Sequence, residues 1–285
     1  MIRRVKQFLD SQNPMLIVGV LLTTLVAIAA IFAPYLAPYD PVEDANLMNS
    51  LRPPGEDFLL GTDRQGRDIL SRLIFGTRIA LLVGIVSQGL NTLIGVLLGA
   101  SAGLFGGKVD DSIMAFTNMV LSIPPLILAL AIMTVLGPGL INILIALGFT
   151  QWTYTCRICR AQILSVKEQD FVEAADALGA SRFRIALKHI LPHVFGPVFV
   201  IASLGVGAAI LLEASLSFLG VGTQPPTPSW GTMLSSGRTY IWTAPWITIS
   251  PGVAIMITVL GVNLIGDGLR DKLDPRVKRE LDLSD

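Results

Sequence analysis

Long apolar runs alternate with short polar segments along this chain, and the runs have the length of helices that cross a lipid bilayer. Residues 15–33 hold 19 consecutive positions without an ionisable side chain, close to the ~20 apolar residues a spanning helix needs. Residues 79–107 form a second charge-free run, and residues 112–156 a third of 45 residues, enough for two spans. Gly137-Pro138-Gly139 interrupts that third run near its middle and predicts a turn. Residues 194–219 carry a single charge, Glu213, and residues 239–266 carry none. The pattern predicts an all-α, polytopic membrane protein with six transmembrane helices.

Charge then orients the spans. The first run comes after Arg3, Arg4 and Lys6. Ala27-Ile28-Ala29 mimics a signal-peptide cleavage site, but the run exceeds a signal core of roughly 7–15 residues, so it is read as an uncleaved span with its basic end in the cytoplasm. Both termini are then inside. The inner segments hold fifteen of the 21 Lys and Arg residues, as the positive-inside rule requires. The expected division is a cytoplasmic segment 1–13, a first helix 14–36, an extracytoplasmic loop 37–77, a five-helix core 78–266 with a cytoplasmic loop 168–193, and a cytoplasmic tail 267–285. Ile69, Leu70, Leu73 and Ile74 predict an interfacial helix at the end of the outer loop. Gly84, Gly89, Gly95, Gly99 and Gly103 predict close helix packing along span two. Trp242 and Trp246 fit an aromatic belt at the outer end of span six.

Within the spans, two features stand out. Pro124 and Pro125 predict a kink in span three and freed carbonyls, which membrane depth tolerates only against protein or a watery cavity. They are candidates for the wall of a translocation pathway. Glu213 is an ionisable group in an apolar run. It either lines a cavity, sits hydrated near the outer end, or pairs with another subunit.

The longest polar interruption is Asp170 to His193, which divides into two short amphipathic helices. Phe171, Ala174, Ala175 and Leu178 share one face of the first. Gly179 suits a left-handed helix end, and Ser181 can N-cap the second helix. Phe183, Ala186, Leu187 and Ile190 line the second apolar face, and Pro192 is expected to stop or kink that helix. Such a pair lies on the membrane surface, packs under its own bundle, or docks on a partner protein.

Composition excludes several functions. The chain is 52% hydrophobic and 15% charged with zero formal net charge, so no nucleic-acid partner is expected. Cys156 and Cys159 form one C-x-x-C without the further ligands of a zinc site or the βαβ setting of a redox motif, and are read as free thiols facing helix or lipid. His189 and His193 lack the intervening glutamate of a metalloprotease helix, so no metal site is expected. Gly106-Gly107-Lys108 fails as a phosphate loop, with Ala102 and Val109 where Gly and Ser or Thr are needed.

Four stretches resemble one family. Glu173-Ala174-Ala175, Gly179 and Leu191-Pro192 resemble the EAA loop of ABC importer permeases, with His189 where the family often has isoleucine. Residues 60–72, LGTDRQGRDILSR, resemble an extracytoplasmic signature of the C-type permeases of the oligopeptide, dipeptide and nickel branch, carried here by Gly61, Asp63, Gly66, Arg67 and Asp68. This loop is either a structural cap on the bundle or a place where an external binding protein docks. Residues 213–231 resemble EASLSFLGxGxQPPTPxWG, and residues 263–276 resemble the NLxGDGLRDxLDPR ending of the same branch.

The resemblance implies the type I importer permease fold and a multi-pass subunit of the cytoplasmic membrane. It also implies a heterodimer with a second permease, two cytosolic ATPase subunits that use ATP and Mg, and an extracytoplasmic solute-binding protein. No cofactor is expected on this chain. Phe171, Glu173, Ala174, Ala175, Gly179, Phe183, Leu187, Leu191 and Pro192 would form the coupling element that seats in the ATPase. Peptides lead as substrate, with nickel second. An ATP-independent channel or carrier, or an intramembrane enzyme, is the contrasting class; it lacks support in any ionisable constellation or internal repeat within the spans.

Overall fold

The structure, a computed structural model, describes residues 14–273. The basic N-terminal segment 1–13 and residues 274–285 of the tail lie outside the described residues. The described residues form helices joined by loops, with one isolated bridge between Thr62 and Asp68.

Helix α1 (Pro14–Ile31) and the single turn α2 (Ala33–Leu36) open the fold. The central element is α3 (Ile69–Phe105), 37 residues long and so about 55 Å at 1.5 Å per residue. No breaker stands between its N-cap, Asp68, and Gly106, whose φ of 67° ends it. The separate interfacial helix expected at residues 69–74 is therefore the first two turns of α3. Two of its arginines find backbone carbonyls from much earlier in the chain. Arg72 donates to the Pro41 carbonyl, and Arg78 to those of Ala30 and Ile31 at the end of α1.

The third apolar run is more broken than its composition suggests. It forms α4 (Gly107–Leu121), α5 (Pro125–Leu136), α6 (Leu140–Gly148) and α7 (Trp152–Lys167). Pro124 and Pro125 cannot donate backbone hydrogen bonds, and α4 and α5 meet there at 88°. Gly137 and Gly139, both with positive φ, form the expected turn. Arg157, Arg160 and Lys167 fall inside α7 rather than in a loop. Arg160 pairs with Asp110 of α4, Arg157 donates to Asn118, and Lys167 caps the carbonyls of Gly103 and Leu104 at the end of α3. Among the described residues, four helices are long and apolar enough to cross a membrane, five when the bent pair α4–α5 counts as one. Residues 140–167 occupy the place of the expected fourth span as two pieces broken at 149–151.

After two short helices α8 (Asp170–Ala177) and α9 (Arg182–Ile185), the chain runs through α10 (Leu191–Phe218), α11 (Trp230–Gly237) and α12 (Trp246–Leu273). Helix α12 continues past residue 266, the boundary expected for the tail. Gly266 and Gly268 do not break it because each admits a neighbour, Leu204 and Leu16 respectively.

Helix α3 packs against α7, α10 and α1, while α12 packs against α1 and α10. Glycines permit the closest of these approaches. Gly95, Gly99 and Gly103 lie on the backbone and side chains of α7, and Gly84 on Ile210; Gly89 faces open space. Cys156 and Cys159 are buried free thiols of α7, Cys159 set against the Val96 carbonyl of α3 and Cys156 against Thr117 of α4, so they face helices and not lipid. Gly19 of α1 lies on the backbone of Gly261 and Ile265 in α12. A Gly19→Leu replacement has no room there, and overpacking typically costs ~1–3 kcal/mol. The expected result is a fall of about 2–10 °C in the unfolding midpoint in detergent, read by differential scanning fluorimetry.

Candidate functional site

The polar stretch forms a rigid elbow. Helix α8 carries Asp170 and Glu173 in its first turn, where carboxylates complement the positive end of the helix. Its far end closes as a Schellman motif: Gly179 N–H donates to Asp176 O at 2.8 Å and Ala180 N–H to Ala175 O at 3.1 Å. Gly179 has the left-handed φ of 78° this needs. Ser181 then N-caps α9, accepting from Arg184 N–H at 3.4 Å.

Pro192 does not stop the second helix. Residues Ala186–Ile190 widen into a π-turn, with Leu191 N–H reaching back to Ala186 O, and α10 continues directly. A proline lacks its N–H and crowds the carbonyl four residues before it; a wider turn relieves that crowding. Residues 182–218 thus run as one 37-residue unit.

The expected apolar face is divided. Val172, Ile185, Ala186 and Ile190 are buried, most of them against Cys159, Ile163, Val166, Val194 and Val198. Leu178, Phe183 and Leu187 point outward, at 88%, 74% and 48% exposure. Ala174 and Glu173 are also exposed, Ala175 and Leu191 are half-buried, and Pro192 is exposed. Phe171 stacks on the His193 ring, whose Nδ1 lies 2.8 Å from His189 O. The elbow is held from beneath and offers apolar groups to something else.

Next to the elbow opens a cavity of about 1480 Å³. Its wall includes Gln169, Pro192 and His193 of the elbow, Arg270 of α12, and Gln88, Gly205 and Leu211 within the bundle. Pro124 and Pro125 line it, as do Thr150 and Gln151 at the α6–α7 break. The sequence pattern points to the prolines and not to the amides. Gln88 and Asn91 are the two side-chain amides in the charge-free run of span two, and their presence there is the available signal.

Glu213 is absent from this wall and from the outer surface. It is 1% exposed, and its Oε1 accepts from Ser217 Oγ at 2.7 Å and Thr223 Oγ1 at 3.1 Å. Thr223 N–H donates to Ser217 Oγ at 2.9 Å. Glu213 therefore fastens the turn that leaves α10.

The outer signature is equally internal. Gly61 and Gly66 adopt positive φ, and a Cβ at Gly66 would overlap the Asn46 carbonyl oxygen. Asp63 accepts from the backbone N–H of Gln65 and Arg67 and pairs with the Arg67 guanidinium at 2.7 Å. Asp68 caps α3 through Ser71 N–H at 2.7 Å. Trp246 Nε1 donates to Thr62 O at 3.2 Å, which ties the loop to α12; Trp242 is 94% exposed.

Comparison with known proteins agrees with this architecture. Residues 95–279 match the family described as binding-protein-dependent transport system inner membrane component, and residues 11–54 match the N-terminal TM domain of oligopeptide transport permease C. The chain belongs to the binding-protein-dependent transport system inner membrane component family. It is a multi-pass permease subunit of the inner membrane. It is 44% identical to the di/tripeptide transport system permease protein DppC of Pseudomonas aeruginosa over 266 residues, covering 91% of this chain and 88% of that one. It is 40% identical to the oligopeptide transport system permease protein OppC of Bacillus subtilis over 267 residues, covering 94% and 87%. An inward-facing structure of the MetNI methionine ABC transporter shares the fold, with a TM-score of 0.61 at 20% identity over 72% of this chain and 98% of that one.

Proposed function

We propose that this chain is one of two transmembrane subunits of an ABC importer for di- or oligopeptides. Two cytosolic ATPase subunits, using ATP and Mg, power it, and an extracytoplasmic solute-binding protein supplies the cargo. The observation that carries this reading is the elbow. Phe183 and Leu187 stand outward on a helix that continues into the cavity wall at Pro197, Val200 and Gly205. Fully burying such a side chain in a partner is worth about 1.5–3 kcal/mol. A partner that grips them moves the wall with them, and ATP shifts the equilibrium between two openings of the cavity only by binding one state better.

The peptide assignment draws on the relatives, whose names specify peptides, and on the cavity wall, which mixes amides and hydroxyls with apolar side chains. The expected result in reconstituted vesicles is uptake of labelled di- or oligopeptides that needs ATP, the ATPase subunits and the binding protein together. A cysteine at position 183 should cross-link to an ATPase subunit. Uptake that continues without the ATPases, or a cysteine that meets only lipid reagents, would refute the assignment; uptake of nickel in place of peptide would change the cargo alone.

A further inference from the structure

Gln88 is the least explained polar group in the cavity wall. It is 4% exposed, and its Nε2 donates to Thr92 Oγ1 at 3.2 Å. Its Oε1 is buried with no hydrogen-bond partner. Nearly all buried polar atoms in folded proteins are paired, and an unpaired one is costly. The amide is held where it is by Gly205 of α10. A Cβ at that position would overlap the Cδ, Nε2 and Oε1 of Gln88 together. Both residues belong to the cavity wall, as do Thr150 and Gln151; the Oε1 itself is enclosed over Gly205, so a substrate reaches it only when the amide turns toward the cavity. The break bearing Thr150 and Gln151 is itself fixed by Asn91, whose Oδ1 accepts from Gln151 N–H at 3.0 Å.

No Asp or Glu lines this cavity among the described residues. A substrate that brings N–H donors must therefore be met by neutral oxygens, and Gln88 Oε1 is an acceptor left unused by the chain. We propose that Gln88 is a substrate-contacting residue whose Oε1 accepts a hydrogen bond from an N–H of the transported peptide, with Gly205 as the positioning residue that sets the amide. This rests on the peptide-importer reading of the chain.

The test uses the complete importer in lipid nanodiscs, loaded with a tritiated dipeptide through the binding protein and trapped with ATP and vanadate. Peptide retained is counted per trapped nucleotide. Gln88→Leu is expected to weaken retention roughly 2- to 10-fold if the donor is a peptide N–H, and roughly 10- to 150-fold if it is the terminal ammonium. An N-acetylated dipeptide separates these sources: the loss persists for the first donor and vanishes for the second. Gln88→Glu keeps an acceptor in place and should hold the free-amine peptide at least as well as wild type. Gly205→Ala should reproduce part of the loss by displacing the amide. If wild type traps no peptide, the cargo assignment itself fails. If wild type traps it and Gln88→Leu and Gly205→Ala trap as much, only the role of Gln88 is overturned.

Discussion

Phe183→Asp is expected to abolish ATP-driven uptake while the chain still inserts and folds. The side chain is 74% exposed, so its own fold loses almost no buried area. If the elbow seats in the ATPase as proposed, what is lost is the burial of this side chain there, about 1.5–3 kcal/mol, and a carboxylate is desolvated without a partner. That corresponds to an affinity for the ATPase lower by at least roughly 10- to 150-fold. Co-purification of the ATPase with the permease measures it, beside uptake in vesicles. Phe183→Leu should retain most of both. Gly179→Pro reaches the same end by geometry. Proline is locked near a φ of −65°, cannot adopt 78°, and removes the N–H that closes on Asp176. Normal uptake by either aspartate or proline variant in a stably assembled complex would show that the elbow is not the lever.

Asp63→Ala should give the largest loss of stability. The carboxylate is 4% exposed, and it neutralises Arg67 at 2.7 Å and Arg72 at 3.7 Å; Arg72 is itself 4% exposed. Its removal leaves the enclosed Arg72 and the half-buried Arg67 without their carboxylate, and breaking a buried pair costs about 3–5 kcal/mol. It also releases the backbone N–H groups of Gln65 and Arg67. The unfolding midpoint in detergent should drop by roughly 6–20 °C. Asp63→Asn keeps the backbone acceptor without the charge and should fall between. A drop under about 2 °C would mean that water already compensates these charges and that the loop is not a structural cap.

The spans are legible in the sequence because the bilayer imposes a length, and runs such as residues 15–33 and 79–107 announce it. The elbow is legible because Gly179 and Ser181 are residues whose backbone and side-chain chemistry suit one local geometry each. Other features depend on partners far along the chain. Nothing near Arg72 or Arg78 reveals that Pro41, Ala30 and Ile31 offer them carbonyls, so charge alone puts the start of the second spanning helix several residues late. The burial of Glu213 depends on Thr223, ten residues on, folding back over it. The cavity wall is only half legible: prolines declare themselves, but Gln88 gains meaning only when Gly205 arrives opposite it.

The π-turn at Ala186–Ile190 has a consequence for how the chain separates two tasks. At 100° per residue, Phe183, Leu187, Ile190, Val194 and Val198 would form one continuous stripe on a regular helix. One surplus residue in the turn rotates the helix before it by roughly 100° against the helix after it. The stripe is cut in two: Ile190, Val194 and Val198 turn to the interior, while Phe183 and Leu187 turn away from it. Deleting a single residue from this turn would leave the composition almost untouched and restore the phase. The protein would then bury its own handle, so its ability to be driven from outside is written in a rotation and not in any one side chain.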